Sequence, residues 1–245
     1  MLHQQLLKYG SALKAFASST SKFLILKSIP EATSPSDRKT DALYILDSSF
    51  NPPTLAHLRI ATSAILHDEK CPPSSNKRLL LLLATQNADK APKPASFDQR
   101  LTMMDIFATD LLNELKQSQS QSQSSGPSPS PPPKLGIDIG VTTLPYFVGK
   151  ATEIASSGLY PASTPQVHLT GYDTLVRILD PKYYPPTHDL SILGPFLEKH
   201  RLRVTYRADD SWGSRLEQDE YLKGILGGGD GGDWREDGVG WAGED

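Results

Sequence analysis

The chain has 245 residues, 38 % of them hydrophobic, and a formal net charge of −3. At about 150 residues per domain, this length allows one large domain or two small ones. The near balance of 25 Lys and Arg against 28 Asp and Glu excludes a protein that binds nucleic acid through a broadly basic surface. The single Cys71 excludes a disulfide framework, and no apolar run approaches the ~18 residues of a membrane-spanning helix.

Residues 1–40 are predicted to form a helix, a strand and a linker ahead of the main domain. Four lysines and no acidic residue precede Glu31, a composition that is also found in mitochondrial transit peptides. The segment has no Arg, however, and it continues into the apolar run Phe23–Leu26, which favours a helix followed by a strand packed on the fold. We therefore expect a cytoplasmic protein, with a nuclear location left open, and regard mitochondrial targeting by residues 1–30 as the weaker alternative.

From Ala42 onward, short apolar runs alternate with amphipathic segments, which is typical of βαβ units around a parallel sheet. Strands are predicted at Leu43–Leu46, Leu79–Leu83, Ile137–Thr143, Val167–Thr170 and Leu202–Tyr206. Helices are predicted at Leu55–Leu66, Ser96–Lys116, Tyr146–Ser156, Thr174–Leu179 and Ser191–His200. The alternation predicts one α/β domain over residues 41–207.

Two segments lack the apolar residues that a core needs. Residues 117–134 consist almost only of Gln, Ser and Pro, so we expect a disordered insert within the domain. Residues 208–245 are predicted to form a Gly- and Asp-rich tail, in which Glu217, Asp219 and Glu220 are interpreted as a solvated face. The glycines of this tail are not followed by the Lys and Ser or Thr of a phosphate-binding loop.

The segment from Asp47 to His57 carries the clearest chemistry. A strand is predicted to end at Asp47, a turn of Ser, Asn and Pro follows, and Thr54 suits the N-cap of the next helix. His57 is then the third helical residue, and its imidazole leans back toward the backbone N–H groups of the first turn. Those groups favour an anion at the carboxyl end of a strand, so we predict a phosphate site there. A histidine that only faces solvent near a helix start is the alternative.

This segment, Ser48-Ser49-Phe50-Asn51-Pro52-Pro53-Thr54-Leu55-Ala56-His57, resembles the GSFNPxTxxH signature of the nucleotidylyltransferase superfamily. Its Phe-Asn-Pro core is similar to the nicotinamide mononucleotide adenylyltransferase family, and most similar there to fungal adenylyltransferase-like proteins linked to promotion of filamentation. Ser48 and Ala56 stand where that family usually has Gly, and both are small. The resemblance implies a Rossmann-like fold with a doubly wound parallel sheet, and Mg²⁺-dependent adenylyl transfer from ATP to nicotinamide mononucleotide, forming NAD.

Two further segments resemble elements of this family. Thr170-Gly171-Tyr172-Asp173 is similar to its Gly-x-Asp element, where Gly lets a base or ribose approach the backbone and Asp173 can accept hydrogen bonds from ribose hydroxyls. Capping of the next helix by Asp173 is an alternative that is compatible with this role. The segment 87–100 resembles a loop that places a Lys near phosphate, and Lys90 suits that position better than Lys93. A solvated basic loop capped by Ser96 is the alternative there.

The resemblance implies a role for each matching residue. The catalytic residues would be His57 and Lys90. The ATP-binding residues would be Ser48, Ser49, Phe50, Thr54, His57, Gly171 and Asp173. The mononucleotide-binding residues would be Asn51, Lys90 and Arg100, and no metal ligand is assigned to the protein. ATP and nicotinamide mononucleotide are the expected partners, without nucleic acid or membrane.

Alternatives to this enzyme remain open. The family's late Ile-Ser-Ser-Thr-x-x-Arg element, which binds the outer ATP phosphates, is absent, and the chain stops at Asp245 inside the Gly- and Asp-rich stretch. We therefore expect either a truncated sequence or a nucleotide-binding regulatory protein with impaired catalysis. Transfer to another phosphorylated acceptor is a third possibility, against which Asn51 argues because relatives with other acceptors usually carry Phe-Asp. The sequence leaves open whether the mononucleotide is the amide or the acid.

Overall fold

The computed structural model describes residues 2–32, 35–72, 75–86, 95–122, 135–187, 189–207, 210–227 and 239–241. The chain divides into two compact units, Met1–Thr164 and Pro165–Asp245. The first unit contains α1 (Leu2–Ala17), β1 (Phe23–Ile29), β2 (Ala42–Asp47), α2 (Leu55–Leu66), β3 (Lys77–Ala84), α3 (Phe97–Ser122), β4 (Leu135–Thr142) and α4 (Phe147–Ser156). The second unit contains β5 (Gln166–Gly171), α5 (Tyr172–Ile178), α6 (Gly194–Lys199), β6 (Arg201–Thr205), α7 (Arg215–Gly227) and β7 (Val239–Trp241).

The first unit is built on four strands. β3 pairs in parallel with both β2 and β4, and β1 pairs antiparallel with β4. All eight residues of β3 are buried, as the run of five leucines predicts for a strand covered on both faces. The parallel strands and the helices between them confirm the predicted α/β class. The antiparallel direction of β1 is not evident from its sequence.

The two faces of β2 pack against different layers. Leu43 and Ile45 belong to a core cluster that includes Ile154 of α4. Tyr44 points to the other face, where its hydroxyl donates to Asp68 at 2.7 Å. Because side chains alternate along a strand, successive residues at the end of β2 are directed to opposite layers.

The amino-terminal helix packs on α3 through polar contacts. The Tyr9 hydroxyl donates to Asp105 of α3 at 3.0 Å, and Lys27 of β1 forms an ion pair with the same carboxylate. Burial, followed by the charge of Asp105, raises the pKa of Tyr9 well above its ordinary value. The helix and the strand predicted in the first 30 residues are thus confirmed, and both are attached to the core of the first unit.

A charged cluster lies inside the first unit. Asp138 of β4 is fully buried and accepts hydrogen bonds from Arg78 Nε at 2.6 Å and from Arg78 Nη2 at 2.7 Å. The Tyr160 hydroxyl also donates to Asp138, at 2.7 Å, and Arg38 Nε lies 3.9 Å from that carboxylate. Arg38 in turn donates to the carbonyl of Ala32 at 2.9 Å. The linker before β2 is therefore connected to the interior of the sheet.

The second unit has three parallel strands, in which β6 pairs with β5 and with β7. The prediction of a Gly- and Asp-rich tail over 208–245 is wrong where α7 and β7 form. Helix α7 was missed because its buried positions are Gln218 and Leu222, so only one of them is apolar. Glu217 and Glu220 on this helix are exposed, as predicted for a solvated face. Residues 228–238 and 242–245 lie outside the described residues.

The predicted end of α3 also needs correction. The helix continues to Ser122, so the first six residues of the predicted disordered insert are helical. Gln is a good helix former, which favours continuation of the helix through this polar segment, and the Ser118 hydroxyl donates to the carbonyl of Glu114 at 3.1 Å. The rest of the predicted insert, residues 123–134, lies outside the described residues. Over the described part of the chain, none of the helices has the length and apolar character needed to span a membrane.

Candidate functional site

The turn after β2 has an unusual backbone at its centre. Phe50 has φ = 45°, a left-handed conformation that costs a non-glycine residue on the order of 1–2 kcal/mol. Its side chain is fully buried, and the ring lies 5.2 Å from the imidazole of His57 and 6.4 Å from the ring of Phe107 in α3. Burial of the aromatic ring offsets the strain. The ring of Phe50 therefore packs against the imidazole of His57.

The first turn of α2 fixes the orientation of His57. Thr54 is the N-cap and His57 is the third helical residue, as predicted. His57 Nδ1 accepts a hydrogen bond from the backbone N–H of Thr54 at 3.0 Å and lies 2.8 Å from Thr54 Oγ1. Since a backbone amide can only donate, Nδ1 carries a lone pair, and the proton of the neutral ring is on Nε2.

The protonated nitrogen of His57 is directed at the end of β2. Nε2 lies 2.8 Å from Ser48 Oγ, to which it donates. Ser48 is half-buried, whereas the neighbouring Ser49 is exposed. The sequence thus brings a histidine donor and a serine hydroxyl together where a parallel strand meets the start of a twelve-residue helix. The backbone N–H groups of that helix start add positive partial charge, so the arrangement suits an anion.

Lys150 contacts the end of β2, a position that the sequence did not reveal. Its ammonium group forms a buried ion pair with Asp47, the last residue of β2, and lies 5.5 Å from the centre of the Phe147 ring. Its burial could have been predicted from the sequence, because Lys150 lies one helical turn before the buried Ile154, in the apolar stripe of α4. Asp47 therefore contacts α4, while the next residue, Ser48, contacts α2.

Asn51, Arg100 and Lys90 are the residues predicted to bind the mononucleotide. Asn51 is half-buried in the turn after β2. Arg100 is only 4 % exposed, and its Nε donates to the carbonyl of Ala95 at 2.9 Å, while its guanidinium lies 5.2 Å from the Phe97 ring centre. These contacts hold the start of α3. Lys90 lies outside the described residues, and its proposed contact with phosphate stays a prediction.

The Gly-x-Asp element lies in the second unit, at the end of β5. The N-cap of α5 is Gly171, so the alternative of an N-cap by Asp173 is wrong. Instead, Asp173 Oδ1 accepts a hydrogen bond from Arg207 Nε at 2.7 Å. A Cβ on residue 171 would lie 2.6 Å from that carboxylate oxygen, so glycine provides the space for it. Arg207 was missed, although it follows the predicted strand β6 and therefore marks the carboxyl end of a parallel strand.

Other polar groups of the second unit serve packing. His168 is buried in β5, with Nε2 3.1 Å from Gln166 Oε1 and its ring centre 5.1 Å from that of Phe196. Burial and the charge of Lys199 lower the pKa of His200. Within the described ranges, no group of three or more His, Cys, Asp or Glu residues is arranged to hold a metal ion.

Comparison with known proteins gives one informative relative. A curated protein of Schizosaccharomyces pombe, named "Putative nicotinamide mononucleotide adenylyltransferase", is 33 % identical to this chain over 218 residues. The matched region covers 89 % of this chain and 71 % of the relative. No family model and no solved structure matches the chain. The identity extends over most of both proteins and is therefore far more than a shared short motif.

Proposed function

The chain belongs to the nicotinamide mononucleotide adenylyltransferase-like family, with its Rossmann-like α/β fold, and on that basis we propose that it forms NAD from ATP and nicotinamide mononucleotide. In this reaction a phosphate oxygen of the mononucleotide attacks the α-phosphorus of ATP in line. The bond from that phosphorus to the bridging oxygen of pyrophosphate breaks, and pyrophosphate leaves with the electron pair. The protein need only hold two polyanions together and stabilise the charge that develops on the α-phosphate.

The observation that carries the proposal is the fixed orientation of His57. Its Nε2–H, 2.8 Å from Ser48 Oγ, is a donor at the start of α2. A phosphate oxygen bound there would accept from Nε2 in place of Ser48 Oγ, and from the backbone N–H groups of the first turn. Thr54 supports the role of Nε2 as a donor, because its backbone N–H donates to Nδ1 and so keeps the proton of the neutral ring on Nε2. With the opposite tautomer, the imidazole would present a lone pair to the phosphate and repel it.

Other residues contribute contacts with the nucleotide in this proposal. Asp173 accepts hydrogen bonds from ribose hydroxyls, and Lys90 adds positive charge near phosphate. Mg²⁺ enters this proposal as part of the substrate MgATP, where it neutralises phosphate charge. Ser48 and Asn51 border the phosphate site at the end of β2.

The test is NAD formation by the purified full chain from ATP, Mg²⁺ and nicotinamide mononucleotide. Removal of one transition-state donor lowers kcat by about 10²–10³-fold, and we expect this loss in His57→Ala. The matched control is His67→Ala, an exposed histidine at the other end of α2, which should leave kcat unchanged. Nicotinate mononucleotide, supplied in a parallel assay, distinguishes the acid from the amide as acceptor.

Each outcome has a defined meaning. A His57→Ala variant with kcat within threefold of the wild type would contradict the role of the imidazole. A wild-type chain that binds ATP but makes no dinucleotide from either acceptor would refute the synthetase function. That second result would favour the nucleotide-binding regulatory protein instead.

A further inference from the structure

We propose that Arg207 is a positioning residue that orients Asp173 for recognition of the ribose, an inference that rests on the proposed function. Arg207 follows β6 and Asp173 follows β5, and these two strands are parallel neighbours. Their side chains meet through Arg207 Nε and Asp173 Oδ1 at 2.7 Å. The pair is thus formed at the carboxyl ends of two adjacent strands.

The position of Arg207 is fixed by its backbone as well as by its side chain. Gln218 of α7 is fully buried, and its amide group makes a two-way contact with this residue. Its Oε1 accepts from the backbone N–H of Arg207 at 3.0 Å, and its Nε2 donates to the carbonyl of Arg207 at 2.8 Å. Nε2 also donates to the carbonyl of Gly213 at 2.9 Å. A buried side-chain amide that bonds both the N–H and the carbonyl of one residue restricts how far that residue can move.

The contact leaves one oxygen of Asp173 for a ligand. Among the residues that the structure describes, the side chain of Asp173 accepts only from Arg207, and only through Oδ1. Oδ2 has two lone pairs for the vicinal hydroxyls of a ribose. The arginine orients the carboxylate before the nucleotide arrives, so less rotational freedom is lost on binding.

The two partners of the ion pair differ in exposure. The side chain of Asp173 is 12 % exposed, whereas that of Arg207 is 43 % exposed. Such a pair adds little to folding stability, because solvent screens the exposed guanidinium. The lack of a side chain on Gly171 is also explained, since a Cβ there would lie 2.6 Å from Asp173 Oδ1 and 3.4 Å from Arg207 Nε. The Gly-x-Asp spacing thus accommodates the ion pair as well as the ligand.

The experiment compares the binding of ATP and of 2′,3′-dideoxy-ATP by calorimetry. The wild type should prefer ATP by about tenfold or more, since a hydrogen bond to a charged group contributes that much. Arg207→Gln should reduce the preference to threefold or less and should raise the KM for ATP, while kcat at saturating ATP stays within about threefold. Arg207→Lys retains the charge and should recover part of the preference.

Two matched controls and a second perturbation make the result specific. Gly171→Ala leaves Arg207 unsubstituted and should still reduce the preference for ATP over 2′,3′-dideoxy-ATP, because the new Cβ displaces the carboxylate of Asp173. Arg177→Gln removes an exposed arginine of α5, the helix that carries Asp173, and Gly224→Ala adds a methyl group in open space on α7. Both controls should keep the wild-type preference for ATP.

The outcomes separate this inference from the proposed function. An Arg207→Gln variant that weakens binding of both nucleotides equally, or that only lowers the Tm, would overturn the positioning role. A wild type that binds the two nucleotides equally would overturn it as well. Loss of ribose preference in Arg207→Gln, in a chain that forms no NAD, would support the inference and refute the synthetase function.

Discussion

Replacement of Asp138 by Asn is expected to lower the free energy of unfolding by about 3–5 kcal/mol, the range measured when one partner of a buried ion pair is removed. Asp138 is fully buried, and Arg78, which is 6 % exposed, donates to it through Nε and Nη2. In Asn, one carboxylate oxygen becomes an NH₂ group, which faces an N–H donor of Arg78. The variant therefore loses a hydrogen bond and also leaves the charge of Arg78 without its main counterion.

Three further variants are compared with Asp138→Asn to separate the contribution of charge from that of hydrogen bonding. Tyr160→Phe removes a single hydrogen bond to Asp138, so a smaller loss of about 1.5–3 kcal/mol is expected. Asp110→Asn makes the same chemical change at an exposed position of α3 and should stay within about 0.5 kcal/mol of the wild type. Gly136→Ala should also destabilise the protein, because its Cβ would clash with the guanidinium of Arg78.

Urea unfolding, followed by circular dichroism and tryptophan fluorescence, measures these differences through the midpoint and the slope. If Asp138→Asn lost less than about 1 kcal/mol with an unchanged slope, the reasoning would be refuted, because Arg78 would then be stabilised without its buried counterion. A loss no larger than that of Tyr160→Phe would show that the hydrogen bond, and not the charge, is the main contribution.

Two further predictions concern protons. Burial is the largest cause that raises the pKa of Tyr9, Tyr44 and Tyr160 well above the ordinary value of 10.0. The folded state therefore retains these protons when the unfolded state loses them, so stability should fall as the pH rises above about 10. The part of the phenolate absorbance near 295 nm that comes from these three residues should then appear together with loss of the circular dichroism signal. Ionisation of all three phenols in the folded protein would contradict the burial. For His57, long-range ¹⁵N–¹H spectra of the neutral ring should report the Nε2–H tautomer, and a protonated Nδ1 would be incompatible with the geometry at the start of α2.

Local patterns in the sequence are sufficient for much of the fold and for the centre of the site. The length of the run of five leucines and its place between predicted helices favour a strand that is buried on both faces, as β3 is. The N-cap preference of Thr54 places His57 in the first helical turn, and the structure confirms both positions. These features depend on residues that are close in sequence, so propensity and spacing carry the information.

Contacts between distant residues are the part that the sequence could not supply. Lys150 is 103 residues from its partner Asp47, and Arg207 is 34 residues from Asp173. No local spacing links either pair, because the first is formed only when α4 packs on β2 and the second only when β5 and β6 come together. Helix α7 was missed for a related reason, since its buried Gln218 is stabilised by the backbone of Arg207 and not by an apolar neighbour.

The opposite directions of Asp47 and Ser48 limit how the chain can change in length. Asp47 contacts Lys150 of α4, and the adjacent Ser48 contacts His57 of α2. A single inserted or deleted residue within β2 would turn each of these side chains to the other face and break both contacts at once. We therefore expect that the number of residues from Ala42 to Ser48 cannot vary by one without loss of the site.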